Sequence, residues 1–166
     1  NIKSVLSRLT SSFASSYATN VGNSMHKVME HIKKQDTSSE SIVNLSNSLD
    51  IELSSGQVEQ IHSLVNNKLF RDIVEDDNYE VNHELAFMVK LRGDIVHGYM
   101  DFVGVSANQV VLIDYKSDTY NDEAKFLSSY SEQLNLYTEA LKLMYANRTI
   151  ESYIYSFHLN KFIKTA

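Results

Sequence analysis

The sequence contains no cysteine among its 166 residues. This absence excludes disulfides, zinc ribbons, iron–sulfur clusters and thiol catalysis, and it fits a reducing compartment. Long apolar runs are missing as well, since none approaches the roughly 18 residues that a membrane-spanning helix needs. No signal peptide heads the chain. We therefore expect no membrane partner.

Basic charge is also scarce. Fifteen lysines and arginines stand against 21 acidic residues, which gives a formal net charge of −6. A free-standing nucleic-acid binder usually owes its affinity to a basic surface, so this balance counts against that class. The count does not say whether the acidic residues gather at a metal site or spread over the surface.

Length and composition indicate one globular domain. A chain of 166 residues, 43% of them hydrophobic, is long enough to bury a sizeable core. The sequence starts at Asn1, without a methionine and inside a helical pattern. We therefore expect residues 1–166 to form a single domain that was cut from a longer protein.

Residues 1–70 are predicted to be mostly helical. Apolar residues recur at helical spacing over residues 2–17 and 22–34. Ser55 is the predicted N-cap of a third helix over 56–70. Residues 35–55 are rich in Ser, Asn and Asp and are predicted to be loop-like, apart from a short amphipathic piece over 42–49.

Residues 79–166 change to a strand pattern. Strands are predicted over 79–89, 94–105 and 109–116, followed by a helix that is capped by Asn121 and runs to about residue 146. A closing strand over 149–157 and a further one over 161–165 complete the β-β-β-α-β order. The sequence thus predicts a mixed α/β fold, with a small mixed sheet flanked by helices.

The third predicted strand has an unusual end, "VVLIDYKSD" at residues 110–118. Its apolar run is typical of a strand buried on both faces, yet charged residues follow at once. If a tight hairpin centred on residues 107–108 joins it to the preceding strand, Asp101 opposes Asp114 with Cβ atoms about 4.5–5.5 Å apart. Lys116 lies just beyond on the same face.

Opposed like charges destabilise a sheet unless something compensates them. The candidates are a shared proton, an arginine or a divalent cation that bridges the carboxylates. A hairpin register shifted by one residue would separate the pair instead. Spacing alone leaves the metal site and the shifted register equally open.

Two more polar residues lie on or beside predicted apolar stripes. Gln133 stands between Tyr130 and Tyr137 in the stripe of the long helix, where an amide needs hydrogen-bond partners. His26 lies on the flank of the stripe of residues 22–34. Taken alone, each is more often structural than functional. Because the long helix starts just after "DYKSD", however, its stripe is expected to pack near the aspartates.

These residues together resemble a known family. In order and spacing, "GNSMH" at 22–26, "NHELAF" at 82–87, "GYMD" at 98–101, "DYKSD" at 114–118 and "QLNLY" at 133–137 resemble the PD-(D/E)XK nucleases. More narrowly, they are similar to the RecB-like C-terminal nuclease domain in the A subunit of the bacterial ATP-dependent helicase–nuclease AddAB, or RexAB. The resemblance spans about residues 20–160 and implies a restriction-endonuclease-like core.

The resemblance also implies roles for particular residues. The implied metal ligands are His26, Asp101, Asp114 and the backbone carbonyl of Tyr115. The implied catalytic residues are Asp101, Asp114, Lys116, Gln133 and Tyr137, and Glu84 is a weaker match to the family's glutamate.

The departures from the family pattern are mild. Asn23 and Ser117 stand where the family prefers threonine, and neither is at a ligand position.

On this resemblance, the chain is a Mg²⁺-dependent deoxyribonuclease, with Mn²⁺ as the other suitable metal and no iron–sulfur cluster. Its implied partners are DNA single strands, the helicase domains of the same full-length chain and the second subunit of the helicase–nuclease. Its implied context is double-strand-break repair and recombination in the bacterial cytoplasm. The alternative that stays open is a nuclease-fold module without catalytic activity. A restriction-type endonuclease is a third possibility, but the sequence has no basic segment that could recognise a target site.

Overall fold

A computed structural model describes residues 24–165. The predicted helix over 2–17 and the residues Gly22 and Asn23 lie outside this range. None of the helices within it is long and apolar enough to cross a membrane. In chain order the elements are α1 Ser24–Glu30, α2 Ser39–Ser48, α3 Ser55–Val65, α4 Lys68–Val74, β1 Glu80–Leu91, β2 Asp94–Val105, β3 Gln109–Lys116, α5 Glu123–Met144, β4 Thr149–Ser156 and β5 Lys161–Lys164.

The helical part is more regular than the sequence predicts. The segment 35–55, expected to be loop-like apart from a short piece over 42–49, contains the ten-residue helix α2, which Ser38 caps by accepting a hydrogen bond from the backbone N–H of Ser41. The predicted single helix over 56–70 is wrong, because it is two helices. Asn67 accepts a hydrogen bond from the backbone N–H of Leu69 at 3.0 Å and so caps α4, and two residues, Asn66 and Asn67, separate it from α3.

Two predicted caps are each one residue away from their true positions. Ser54, rather than Ser55, caps α3 and forms a reciprocal capping box with Gln57. Asp122, rather than Asn121, caps α5 by accepting from the backbone N–H of Ala124. In both cases a neighbouring residue of similar capping ability holds the position.

The five strands form one mixed sheet in the order β1-β2-β3-β4-β5. Neighbouring strands are antiparallel except β3 and β4, which are parallel and are joined through α5. A parallel pair requires such a crossover, and the helix then covers one face of the sheet. This confirms the predicted mixed sheet.

Strand β3 is the centre of the molecule and separates two hydrophobic cores. Val111, Ile113 and Tyr115 belong to the core shared with α1, α3 and α4. Val110 and Leu112 belong to the core shared with α5. Both faces of β3 are therefore covered, which explains why its apolar residues are consecutive rather than alternating.

Candidate active site

The β2–β3 hairpin has the register that the sequence predicts. Phe102 pairs with Ile113, and Val105 pairs with Val110 beside the turn. One step beyond the pair of Phe102 and Ile113, Asp101 and Asp114 stand across from each other. The register shifted by one residue is thereby excluded, and two carboxylates meet where the paired strands end.

The two carboxylates lie in a poorly hydrated setting. The side chain of Asp101 is 18% exposed and that of Asp114 is 9% exposed. Burial raises the pKa of Asp101 well above its ordinary value, and the charge of Asp114 together with a hydrogen bond between the two carboxyls raises it further. The Tyr115 backbone N–H donates to Asp101 Oδ2 at 2.8 Å, and this hydrogen bond acts to lower the pKa of Asp101.

Helix α1 brings His26 to the same place. The helix is fixed to the sheet by its buried residues Met25, Val28 and Met29. Nε2 of His26 lies 2.7 Å from the carbonyl oxygen of Tyr115 and 3.7 Å from Asp101 Oδ2. Burial lowers the pKa of His26, which favours the neutral imidazole, the form that binds metals.

The donor atoms at this site fit a hard divalent cation. Within residues 24–165, no three His, Asp or Glu side chains are grouped so that they alone could hold a metal ion. The carbonyl oxygen of Tyr115 lies against Nε2 of His26, however, and Asp101 Oδ2 is close to that nitrogen as well. One neutral imidazole, one carbonyl and two opposed carboxylates form an oxygen-rich set of the kind that Mg²⁺ and Mn²⁺ accept.

Lys116 follows two residues after Asp114 and points to the same side of β3. Its Nζ lies 2.8 Å from Asp114 Oδ2 and donates to Gln133 Oε1 at 3.0 Å. The lysine side chain is only 15% exposed. An ammonium group is therefore held beside the carboxylate pair, as the position of Lys116 in the sequence predicts.

Helix α5 supplies the neighbouring amide and phenol. Gln133 donates from Nε2 to the hydroxyl of Tyr137 at 3.2 Å, and Tyr137 is buried with its ring edge-on to Phe87. The amide of Gln133 thus has partners, as a core glutamine needs. Its oxygen, however, accepts a hydrogen bond from the Lys116 ammonium. Gln133 is therefore part of the candidate site as well as of the packed helix face.

Glu84 also comes near the carboxylates. The flanking pairs His83–Phe102 and Leu85–Met100 place it across from Asp101, so that acidic residues of β1, β2 and β3 lie in one row. Its backbone has φ +51°, a left-handed conformation within a strand. Burial and the charge of Glu30 raise the pKa of Glu84.

The sequence does not predict the contacts of two residues beside Lys116, which are Tyr130 and Asp118. Tyr130 is predicted only as a member of the apolar stripe, yet its ring centroid lies 4.0 Å from Nζ of Lys116. The hydroxyl of this tyrosine contacts both carboxylate oxygens of Asp118, at 2.8 and 2.9 Å. The available signal is the spacing, because Tyr130 precedes Gln133 by three residues and so shares its helix face.

Comparison with known proteins identifies the family. The model of the PD-(D/E)XK nuclease superfamily matches residues 4–164. The chain belongs to this superfamily. The five-stranded mixed sheet with flanking helices agrees with the restriction-endonuclease-like core that the resemblance predicts.

The curated relatives are more specific. The chain is 28% identical over 146 residues to the A subunit of the ATP-dependent helicase/nuclease of Streptococcus sanguinis strain SK36, and the match covers 81% of this chain. It is 38% identical over 60 residues to the protein of the same name from Streptococcus pneumoniae strain CGSP14, and 36% identical over 69 residues to that from Ligilactobacillus salivarius strain UCC118. These two matches cover 36% and 42% of this chain. The matched part of the chain corresponds to only 12% of the length of the Streptococcus sanguinis protein. It corresponds to 5% of the Streptococcus pneumoniae protein and 6% of the Ligilactobacillus salivarius protein.

Proposed function

We propose that this PD-(D/E)XK chain is a metal-dependent deoxyribonuclease domain that hydrolyses phosphodiester bonds in DNA. The observation that carries the proposal is the convergence of Asp101, Asp114 and Lys116 at one end of the hairpin. A fold kept only for structure has no reason to retain a buried pair of opposed carboxylates, because their repulsion costs stability.

The metal would be held by His26, Asp101, Asp114 and the carbonyl of Tyr115. A bound Mg²⁺ or Mn²⁺ lowers the pKa of water and polarises a phosphoryl oxygen. In the structure Nε2 of His26 donates to the Tyr115 carbonyl at 2.7 Å. Metal binding would move the single proton of the neutral ring to Nδ1 and make the Nε2 lone pair available. Asp101 contributes a carboxylate oxygen 3.7 Å from Nε2.

Lys116 would act on the reacting phosphate or on the attacking water. Its ammonium is a hydrogen-bond donor fixed beside Asp114, and in a poorly hydrated site such a donor stabilises developing negative charge on phosphate oxygens. Gln133 holds the ammonium through Oε1, and Tyr137 in turn supports the amide. The pair Gln133 and Tyr137 would therefore be one of the groups that orient Lys116.

The relatives suggest how DNA reaches the site. Their names describe the A subunit of an ATP-dependent helicase/nuclease, and they are far longer than this chain. We propose that helicase domains of the same full-length chain deliver single strands to it, together with a second subunit, during break repair and recombination in the bacterial cytoplasm. Delivery by a motor raises the local DNA concentration, which is consistent with a net charge of −6.

The test compares the wild-type chain with Asp114→Ala on linear single-stranded DNA in Mg²⁺. Asp77→Ala is the matched control, because Asp77 is exposed in the turn between α4 and β1 and is not among the residues of the site. We expect Asp114→Ala to abolish cleavage while the fold persists, and Asp77→Ala to cleave like the wild type. Circular dichroism and a thermal melt establish that both variants are folded.

Metal binding is measured separately, by calorimetric titration with Mn²⁺. The wild type and Asp77→Ala should bind the ion, and Asp114→Ala should bind it weakly or not at all. Full cleavage by Asp114→Ala would refute the assignment of the site. A wild-type chain that binds Mn²⁺ but leaves DNA intact would favour the nuclease-fold module without catalysis.

A further inference from the structure

The surroundings of the Lys116 ammonium are more complete than the proposed reaction requires. Three groups contact it: Asp114 Oδ2 at 2.8 Å, Gln133 Oε1 at 3.0 Å and the ring of Tyr130, whose centroid is 4.0 Å away. Asp114 is also a proposed metal ligand, so its carboxylate would contact both the Lys116 ammonium and the metal ion. The contacts with Gln133 and Tyr130 involve no proposed metal ligand.

The ring of Tyr130 is itself held in place. Its hydroxyl lies 2.9 Å from Asp118 Oδ1 and 2.8 Å from Oδ2, and therefore donates to this carboxylate. Asp118 lies two residues beyond Lys116 in the segment that leaves β3. The segment that carries the lysine is thus joined through Asp118 to the same ring that contacts the lysine's ammonium.

We infer that Tyr130, anchored by Asp118, is a positioning residue that directs the Lys116 ammonium toward the carboxylate pair. The inference rests on the proposed nuclease function and deepens it, since it names the groups that fix the lysine's direction. In this role Tyr130 acts through its contact with Lys116.

The chemistry of the contact supports a positioning role over simple packing. An aromatic face attracts an ammonium group within about 6 Å of the ring centroid, whereas a leucine in its place would leave that side of Nζ without a favourable partner. The lysine side chain has a long, freely rotating stem and loses much of its freedom when it is fixed. The ring and Gln133 flank the ammonium from the same face of α5, because they are three residues apart.

The experiment uses two substitutions of Tyr130 and one matched control. Tyr130→Phe keeps the ring and removes the bond to Asp118, whereas Tyr130→Leu removes the ring. Tyr120→Leu is the control, because Tyr120 also has a lysine near its ring, Lys125 at 5.8 Å, and packs on Phe126 near the start of α5.

Two quantities are measured on each protein. The first is the acylation rate of Lys116 by a water-soluble amine reagent in chelator, read by mass spectrometry with the exposed Lys142 of α5 as an internal reference. The second is the pair kcat and KM for single-stranded DNA at saturating Mg²⁺. The acylation rate does not depend on nuclease activity, so it tests the contact even if the chain does not cleave DNA.

In Tyr130→Leu we expect Lys116 to be acylated several times faster. We also expect kcat to fall about ten-fold or more with KM nearly unchanged, because misplacement of a catalytic group by about 1 Å can cost up to about 100-fold. Tyr130→Phe should recover most of the lost rate. Asp118→Ala should produce the same small change as Tyr130→Phe, and the two combined should do no more than either alone, since they remove one hydrogen bond.

Two results would overturn the inference. One is a Tyr130→Leu protein whose Lys116 acylation is no faster than that of Tyr120→Leu. The other is faster acylation with an unchanged kcat, because the direction of the lysine would then be irrelevant to the reaction. A wild-type chain without nuclease activity refutes the proposed function instead, and the acylation comparison still decides whether Tyr130 holds Lys116.

Discussion

Replacing Asp101 with asparagine isolates the electrostatic cost of the carboxylate pair. The amide would keep the size of the side chain and an oxygen for the Tyr115 N–H, which donates to Asp101 Oδ2 at 2.8 Å. The substitution removes the negative charge of the side chain. In the presence of a chelator, we expect Asp101→Asn to be more stable than the wild type at neutral pH.

The size of the effect follows from the geometry. Opposed residues have Cβ atoms about 5 Å apart, and two unit charges at that separation repel by roughly 3 kcal/mol at an effective dielectric constant of about 20. Lys116, 2.8 Å from Asp114 Oδ2, offsets part of this repulsion. We expect a net gain of about 1–2 kcal/mol in the free energy of unfolding, which for a chain of this size is about 2–8 °C in Tm.

The gain should depend on pH in a defined direction. The pKa of Asp101 is raised in the folded state by burial and by Asp114. The folded chain therefore retains a proton that the unfolded chain has already lost, and wild-type stability falls as the pH rises from the ordinary carboxyl range up to the raised value. The difference between variant and wild type should be absent in acid, grow across that interval and then stay constant.

Thermal melts in EDTA across a pH series measure this difference, with Asp77→Asn as the control. Addition of Mn²⁺ should then raise the Tm of the wild type more than that of Asp101→Asn, because the ion binds the assembled carboxylates in preference to the unfolded chain. An Asp101→Asn protein no more stable than the wild type at neutral pH, or a difference that is independent of pH, would contradict the reasoning.

Three further predictions concern other parts of the site and the core. His26→Ala should weaken Mn²⁺ binding by about ten-fold or more and recover part of its activity at high metal, whereas a loss of activity that only follows stability would make His26 structural. Gln133→Leu should cut kcat at saturating metal by about ten-fold or more, equivalent to roughly 1.4 kcal/mol, with a small change in Tm, and wild-type cleavage by this folded variant would separate α5 from the reaction. Gly104→Ala should lower the free energy of unfolding by about 1–3 kcal/mol without changing Mn²⁺ affinity, because the added Cβ would lie 2.8 Å from Cγ2 of Ile73. An unchanged melting temperature would show that the core can shift to accommodate the added carbon.

Local rules account for the parts of the site that the sequence predicts correctly. The hairpin register depends on a short turn, so the opposition of Asp101 and Asp114 follows from counting along two strands. The bounds of β3, Gln109–Lys116, match the prediction because its apolar run and the charges after it are both visible in the sequence. The alternating side-chain direction of a strand then places Lys116 on the face of Asp114.

Other features depend on packing between distant segments. The contact of His26 with the Tyr115 carbonyl joins residues 89 positions apart, and only the docking of α1 brings them together. The contact of Tyr130 with Lys116 depends on the angle at which α5 crosses the sheet, which the helical period does not fix. The division of the predicted 56–70 helix depends on whether the Asn67 side chain turns back to the backbone, and propensity does not decide this.

The position of the His26 ligand has a consequence for how the molecule moves. The described residues of α1, Ser24–Glu30, carry the proposed imidazole ligand, whereas the carboxylates belong to the sheet. One element can open locally at a lower free energy than the whole fold unfolds. A cation that bridges His26 and Asp101 would therefore tie α1 to β2, and the amide protons of α1 should exchange with solvent more slowly when the ion is bound. Hydrogen exchange in this one helix would then report occupancy of the site in solution, without DNA and without turnover.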